Sequence, residues 1–73
     1  MQKYSNLGGN SNVSGFEIGE TYIDIQFRSG AIYRYSYKSA GKYKVEEMKK
    51  LSVKGIGLNS YIIRNARKDY EKK

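Results

Sequence analysis

Two segments in which apolar and polar residues alternate, separated by a turn, constrain the fold of this chain more than any other feature. The first covers residues 22–28 and the second covers residues 31–37, with Ser29-Gly30 between them. Strict alternation is typical of a strand with one buried face, and a serine-glycine pair is typical of a hairpin turn. We therefore predict an antiparallel β-hairpin whose first strand buries Ile23, Ile25 and Phe27.

The length of the hairpin loop decides which side chains face the core. A two-residue loop at Ser29-Gly30 would place Arg34 on the apolar face. A three-residue loop with Gly30 in the left-handed conformation pairs Asp24 with Arg34 on the outer face. We favour the second register because it separates the apolar residues from the charged ones. On its inner face, Ile25 pairs with Tyr33 and Ile23 pairs with Tyr35, so both tyrosines are assigned mainly to the core.

The remaining periodicity predicts one strand before the hairpin and two helices after it. Val13, Phe16 and Ile18 indicate the extra strand. The first helix has Val45, Met48, Leu51 and Ser52 at three- and four-residue spacing, and Gly55-Ile56-Gly57 ends it. Asn59 is the predicted N-cap of the second helix, whose apolar stripe is Ile62, Ala66 and Tyr70. The expected fold class is α+β, a three-stranded antiparallel sheet packed on one face by two C-terminal helices in the order β-β-β-α-α.

The 73 residues suffice for one domain. Residues 1–11 lack periodicity and contain Gly8-Gly9, which predicts a flexible N-terminal arm, and residues 12–73 form the single domain. With no cysteine and no histidine, the chain cannot form disulfides or Cys/His metal sites, and no cofactor is expected. No apolar run reaches the roughly 20 residues that span a bilayer. No stretch resembles a secretion signal, so we expect a cytoplasmic protein with no membrane partner.

The positive charge is concentrated in the second half of the chain. Residues 1–37 contain three basic and three acidic side chains, whereas residues 38–73 contain 11 basic and 4 acidic ones, which gives the whole net charge of +7. This asymmetry favours an anionic partner such as RNA. The alternative is a solvated, lysine-rich helical surface.

The candidate phosphate-binding residues lie between the two predicted helices and on the second one. Two glycines can present backbone N–H groups to an anion before a helix start, although they can equally serve only to turn the chain. Cations three and four residues apart repel each other, so helix stability does not explain them, but Asp69 and Glu71 can also neutralise them. The candidates are Lys54, Gly55, Gly57, Asn59, Arg64, Arg67 and Lys68.

Three tyrosines are candidates for stacking on nucleic-acid bases. Tyr22 and Tyr37 lie at the edge or outer region of the predicted sheet, and Tyr61 lies near the start of the basic helix. Exposed aromatic rings beside cations can stack on bases. The alternative is the ordinary packing of tyrosine at the rim of a domain.

The residues also suggest a family resemblance. Ile23, Ile25 and Phe27, the Tyr33-Arg34-Tyr35 motif and the pattern from Gly55 to Ile62 resemble the KTSC domain, over roughly residues 11–70. The chain departs from that family in having no proline, about two extra residues near Ala40-Gly41, and Gly57 in place of an aromatic residue. The family is named after the C-terminus of some lysyl-tRNA synthetases and also occurs as short bacterial or phage proteins. The resemblance implies RNA binding and no catalytic activity.

We therefore predict a non-enzymatic binding module for a polyanion, RNA or a nucleotide-like ligand. No set of nucleophile, base and orienting group is visible in the sequence, so no catalytic residue is assigned. One alternative is a phage-encoded inhibitor that sequesters a host defence protein or its nucleotide messenger, as a homo-oligomer through Tyr22, Ile32 and Arg34 on the open sheet face. Another is a protein–protein adaptor that uses the same face.

Overall fold

The computed structural model describes residues 1–9 and 11–71. Four strands form an antiparallel sheet in the order β1-β2-β3-β4, and helices follow the sheet along the chain. The α+β class is confirmed, although the described residues contain four strands rather than three. The elements are β1 (Gln2–Lys3), β2 (Val13–Ile18), β3 (Tyr22–Phe27), β4 (Ile32–Ser36), α1 (Tyr37–Ala40), α2 (Lys42–Lys54), α3 (Leu58–Tyr61) and a π-helical turn (Ile62–Ala66).

The central hairpin has the register that the alternation predicts. Asp24 pairs with Arg34, Ile25 with Tyr33 and Ile23 with Tyr35. The Phe27 amide donates to the Ala31 carbonyl over 2.9 Å, which encloses a three-residue loop. Gly30 has a φ of +97°, a backbone conformation that L side chains rarely adopt, so glycine is the residue this loop favours.

The N-terminal segment, predicted as a flexible arm over residues 1–11, instead forms part of the domain. Strand β1 pairs with β2, and the Tyr4 side chain is only 3% exposed. The Tyr4 hydroxyl accepts a hydrogen bond from the Leu58 amide, and the Leu7 amide donates to the Gly55 carbonyl over 2.7 Å. One aromatic residue in a polar segment gives no periodicity, which is why the pattern did not indicate this packing. Asn10 lies outside the described residues.

The predicted first helix is present as α2, and its apolar stripe faces the sheet. Val45, Met48 and Ser52 are buried, and the Ser52 hydroxyl donates to the Met48 carbonyl over 2.8 Å. Helix α2 ends at Gly55, whose left-handed backbone has a φ of +85°. The core therefore lies between α2, the sheet and α3. Its buried apolar residues are Tyr4, Val13, Phe16, Ile23, Ile25, Tyr35, Val45, Met48, Leu58, Ile62 and Ala66.

The second helix begins and ends earlier than predicted. Leu58 is its first residue and Gly57 its cap, so Asn59 is not the N-cap. The reason is that the Leu58 side chain is fully buried and is held inside the helix by the core. After Ala66 the chain leaves the helix, so Tyr70 does not continue the helical stripe.

Residues 67–71, which we call the return segment, run back to the sheet. The Glu71 amide donates to the Arg34 carbonyl over 2.5 Å. The Lys44 ammonium bonds the Asp69 carboxylate at 2.7 Å, between α2 and the return segment. These two contacts place the return segment beside β4. Lys72 and Lys73, in the tail, lie outside the described residues.

Candidate ligand groove

An open groove of about 470 Å³ lies between the hairpin, the second helix and the return segment. Its volume is within the range of about 300–1,000 Å³ that is usual for small-molecule sites. Most of its wall is apolar or aromatic, with a few polar groups at defined positions. The lining residues are Asn12, Phe27, Ser29, Ala31, Tyr33, Tyr35, Asn59, Ile62, Ile63, Arg67, Lys68 and Tyr70.

The aromatic wall consists of rings that meet edge to face. Phe27 and Tyr33 have ring centroids 5.4 Å apart, and Tyr33 and Tyr70 have centroids 4.6 Å apart. Tyr70 also meets Tyr35, at 6.4 Å. Edge-to-face pairs stabilise one another, so the rings hold a defined arrangement. Phe27, Tyr33 and Tyr70 are partly exposed and can therefore contact a planar ligand.

Tyr35 provides a polar group in this apolar surface. The residue is 1% exposed, and burial, together with Tyr33 and Tyr70, raises the pKa of its hydroxyl to about 12. Within the described part of the chain, the Tyr35 hydroxyl has no hydrogen-bond partner. No side-chain oxygen there is both inaccessible to solvent and unpaired, so this hydroxyl is accessible. Because Tyr35 lines the groove, its hydroxyl reaches the groove as a protonated donor.

Two of the predicted cations line the groove. Arg67 and Lys68 are exposed and form no ion pair with any acidic side chain of residues 1–9 and 11–71. Asp69, which was an alternative partner for these cations, bonds Lys44 instead. Lys54 and Arg64 are exposed as well but do not line this groove. The structure thus brings together only part of the predicted cationic cluster.

The glycine loop has structural contacts where an anion site was predicted. The Gly55 amide donates to the Leu51 carbonyl over 2.9 Å, so it is not available to a phosphate. A Cβ atom at Gly55 would lie 2.9 Å from the Ser5 Cβ, which means that the N-terminal segment requires glycine here. Gly57 has a left-handed backbone, with a φ of +86°, and caps the helical run that begins at Leu58. The contacts favour the alternative, that these glycines turn the chain.

Asn59 occupies a different position from the one expected of a helix cap. It lines the main groove and also a smaller pocket of about 230 Å³ beside Tyr4 and Asn6. Gly57 lines the smaller pocket only. Of the predicted phosphate ligands, Asn59, Arg67 and Lys68 therefore share one groove.

The predicted stacking tyrosines lie outside the groove. The Arg34 guanidinium is 3.9 Å from the centroid of the Tyr22 ring, and Gly19 packs so closely that an added Cβ would lie 2.1 Å from a Tyr22 ring atom. The Tyr37 hydroxyl donates to Glu46, and this bond raises the pKa of Tyr37 and lowers that of Glu46. Tyr61 packs against the core, and burial raises its pKa. These rings are thus engaged inside the chain.

The assignment of Tyr35 to the core is confirmed, and Tyr33 and Phe27 pack against that core. The sequence did not indicate that the same three side chains also line a groove. The predicted register already places Phe27, Tyr33 and Tyr35 on one face, which was a usable signal. The missing information was that the return segment brings Tyr70, Arg67 and Lys68 to the same face.

The outer face of the sheet differs from the groove, since its main charges are paired. Arg34 donates to both carboxylate oxygens of Asp24, over 2.7 and 3.0 Å, and the ion pair raises the pKa of Arg34 further above its usual range. The same guanidinium covers Tyr22. Of the predicted oligomer contacts, Tyr22 and Arg34 are therefore occupied within the chain, whereas Ile32 is 40% exposed.

Comparisons with known proteins gave no relative. No family model matches the chain, and neither a curated protein nor a solved structure does. The resemblance to the KTSC family stays a prediction. Among residues 1–9 and 11–71, no acidic side chains are grouped in a way that would hold a metal ion. The helices in that part of the chain are too short or too polar to cross a membrane.

Proposed function

We propose that this protein is a non-enzymatic binding module for RNA or a nucleotide-like anion, and that the groove is its binding site. The observation that supports this most directly is the position of two unpaired cations, Arg67 and Lys68, on the rim of an aromatic-walled groove. Adjacent like charges without acidic partners attract anions, and here they lie beside aromatic rings that a nucleotide can contact.

The chemistry of the groove suits a nucleotide. The cations attract phosphate and release counterions, which makes binding sensitive to salt. The partly exposed rings of Tyr33 and Tyr70 offer surfaces for a base, and such contacts contribute about 1–3 kcal/mol per base. The groove thus combines the two kinds of contact by which proteins bind single-stranded nucleic acid.

The side chains of the groove support binding rather than catalysis. The chain has no histidine and no cysteine. Of the two acidic residues of the return segment, Asp69 is in an ion pair with Lys44, and neither Asp69 nor Glu71 lines the groove. Among the described residues that line the groove there is thus no carboxylate, histidine or cysteine to act as a general base or as an activated nucleophile.

The test is the affinity for a short single-stranded RNA, measured by fluorescence anisotropy over a range of salt concentrations. Replacing Arg67 and Lys68 by alanine should weaken binding by about 10- to 100-fold at low salt. It should also reduce the slope of log affinity against log salt by about 1.4, as expected for two lost phosphate contacts on a single strand.

The matched control replaces Lys38 and Lys42, which are exposed and lie outside the groove, by alanine. It lowers the net charge by the same amount and should leave most of the affinity intact. An equal loss in both double variants would mean that RNA responds to overall charge, and salt-independent binding would exclude phosphate recognition.

A further inference from the structure

We infer that the groove recognises a single nucleobase directly, through a hydrogen bond from the Tyr35 hydroxyl to an acceptor atom on the base. This inference rests on the proposed function, because it specifies which part of the ligand the groove reads. It predicts recognition of the base in addition to attraction of the phosphate.

The Tyr35 hydroxyl differs from the hydroxyls of Tyr4 and Tyr37, which are hydrogen-bonded within the chain. The buried Tyr4 hydroxyl accepts from the Leu58 amide, and the Tyr37 hydroxyl donates to Glu46. Tyr35 is as buried as Tyr4, yet in the described part of the chain its hydroxyl has no hydrogen-bond partner. No side-chain oxygen of the described residues is both inaccessible and unpaired, so the Tyr35 hydroxyl is accessible, and it remains free to donate to a ligand in the groove that Tyr35 lines.

The cations and the Tyr35 side chain lie at different depths in the groove. Arg67 and Lys68 are exposed at the rim, whereas Tyr35 is 1% exposed and therefore forms the floor. A nucleotide that places its phosphate on the rim cations can direct its base toward the floor, where the Tyr35 side chain lies. The rings of Tyr33 and Tyr70, which are in edge-to-face contact with each other beside Tyr35, then form one wall along that base.

The Tyr35 hydroxyl has the chemistry of a neutral hydrogen-bond donor. The raised pKa, about 12, keeps the hydroxyl protonated at any physiological pH, so it donates rather than carrying charge. Every nucleobase has a carbonyl oxygen or a ring nitrogen that accepts such a bond. A free mononucleotide and one nucleotide of a single-stranded RNA present the same chemistry, and the experiment separates them.

The decisive variant is Tyr35→Phe, which removes the oxygen and keeps the ring. Calorimetry would compare UMP, AMP, ribose 5-phosphate and a single-stranded trinucleotide as ligands. Tyr35→Phe should weaken binding of a base-bearing ligand by about 5- to 10-fold and leave ribose 5-phosphate unchanged. Because the hydroxyl lacks an internal partner, the variant should melt no lower than the wild type.

The matched control is Tyr43→Phe, the same chemical change at a side chain that is 79% exposed and distant from the groove lining. It should bind every ligand as the wild type does. A loss with UMP or AMP identifies a free nucleotide as a sufficient ligand, and a loss confined to the trinucleotide identifies RNA. Both results support direct recognition of the base.

Three outcomes overturn a claim, and they are distinguishable. If the wild type binds none of the base-bearing ligands, the proposed function fails. If the wild type binds them and Tyr35→Phe binds equally well, the base contact fails while the proposed function stands. If Tyr35→Phe weakens ribose 5-phosphate as much as UMP, the hydroxyl contacts phosphate, and the inference about the base is wrong.

Discussion

The two sides of the sheet treat their polar groups in opposite ways. On the outer side, Arg34 is bonded by both oxygens of Asp24 and its guanidinium lies over Tyr22. On the groove side, Arg67 and Lys68 have no acidic partner among the described residues. No described residue accepts a hydrogen bond from the Tyr35 hydroxyl either. Both sides carry arginine and tyrosine, so composition alone does not distinguish them. Pairing does.

The pairing of charged groups, rather than the net charge, indicates where a basic protein binds an anion. A net charge of +7 suggests an anionic partner but not its location. Charges that the fold already neutralises gain little from binding a ligand. Unpaired charges beside an accessible, unpaired hydroxyl can gain more. The Gly55 loop is similar to the outer face of the sheet in this respect, because the amide and the carbonyl of Gly55 are both hydrogen-bonded within the chain.

The largest expected effect concerns that loop. Gly55→Ala should lower the free energy of unfolding by about 2 kcal/mol, because a side chain disfavours the left-handed backbone and the added Cβ would press on Ser5. Urea denaturation measures this change. Gly30→Ala is the control, with a left-handed backbone but open space, and should cost about 1 kcal/mol.

RNA affinity of folded Gly55→Ala should equal that of the wild type, since the Gly55 amide is already bonded to Leu51. A loss of RNA binding in a folded Gly55→Ala protein would mean that the loop, rather than the groove, contains the anion site. It would contradict the contrast between paired and unpaired groups.

A smaller effect is expected at alkaline pH. Unfolded tyrosine loses its proton near pH 10, whereas Tyr35 in the fold holds its proton up to a pKa of about 12. The folded protein then binds more protons than the unfolded chain, so the contribution of Tyr35 to stability is complete below pH 10. It is lost as the pH rises through 12.

Tyr35→Phe removes this titration and should flatten the fall in stability between pH 10 and 12, as monitored by urea denaturation at several pH values. Tyr37 and Tyr61, whose pKa values are also raised, account for the slope that remains. An unchanged slope in Tyr35→Phe would mean that the hydroxyl is not held in an apolar site.

The smallest effect tests whether pairing is what silences the outer face. Asp24→Asn leaves the Arg34 charge uncompensated, so it should raise RNA affinity about twofold and increase the salt slope by about 0.7, through one added phosphate contact. Anisotropy at several salt concentrations measures both values.

The control is the double change Asp24→Asn with Arg34→Ala, which removes the freed cation and should restore the wild-type slope. If Asp24→Asn and the double variant bind RNA identically, the pairing of Arg34 has no bearing on binding.

The hairpin could be predicted from the sequence because it depends on local rules. Alternation sets the faces, Gly30 sets the loop, and the Asp24–Arg34 pair follows from the resulting register. The stack of Arg34 on Tyr22 was also within reach, since the same register places both on the outer face. The two helices were visible for the same reason, although the buried Leu58 shifted the start of the second one.

The groove could not be predicted because it depends on contacts between distant parts of the chain. The return segment is placed by the Glu71 amide on the Arg34 carbonyl and by the Lys44–Asp69 ion pair. Neither contact leaves a periodic signal. The same holds for Tyr4, a single aromatic side chain that fills the core from a polar segment.

The most direct test of the account is a titration of the ¹⁵N-labelled protein with a short single-stranded RNA, followed by NMR. We expect the largest amide shifts around the groove, at Asn12, Tyr33, Tyr35, Asn59 and the return segment, and small shifts at Lys38 and Lys42. Shifts confined to residues 54–57 or to the outer face at Tyr22, Asp24 and Arg34 would contradict the claim that the unpaired groups of the groove bind the ligand.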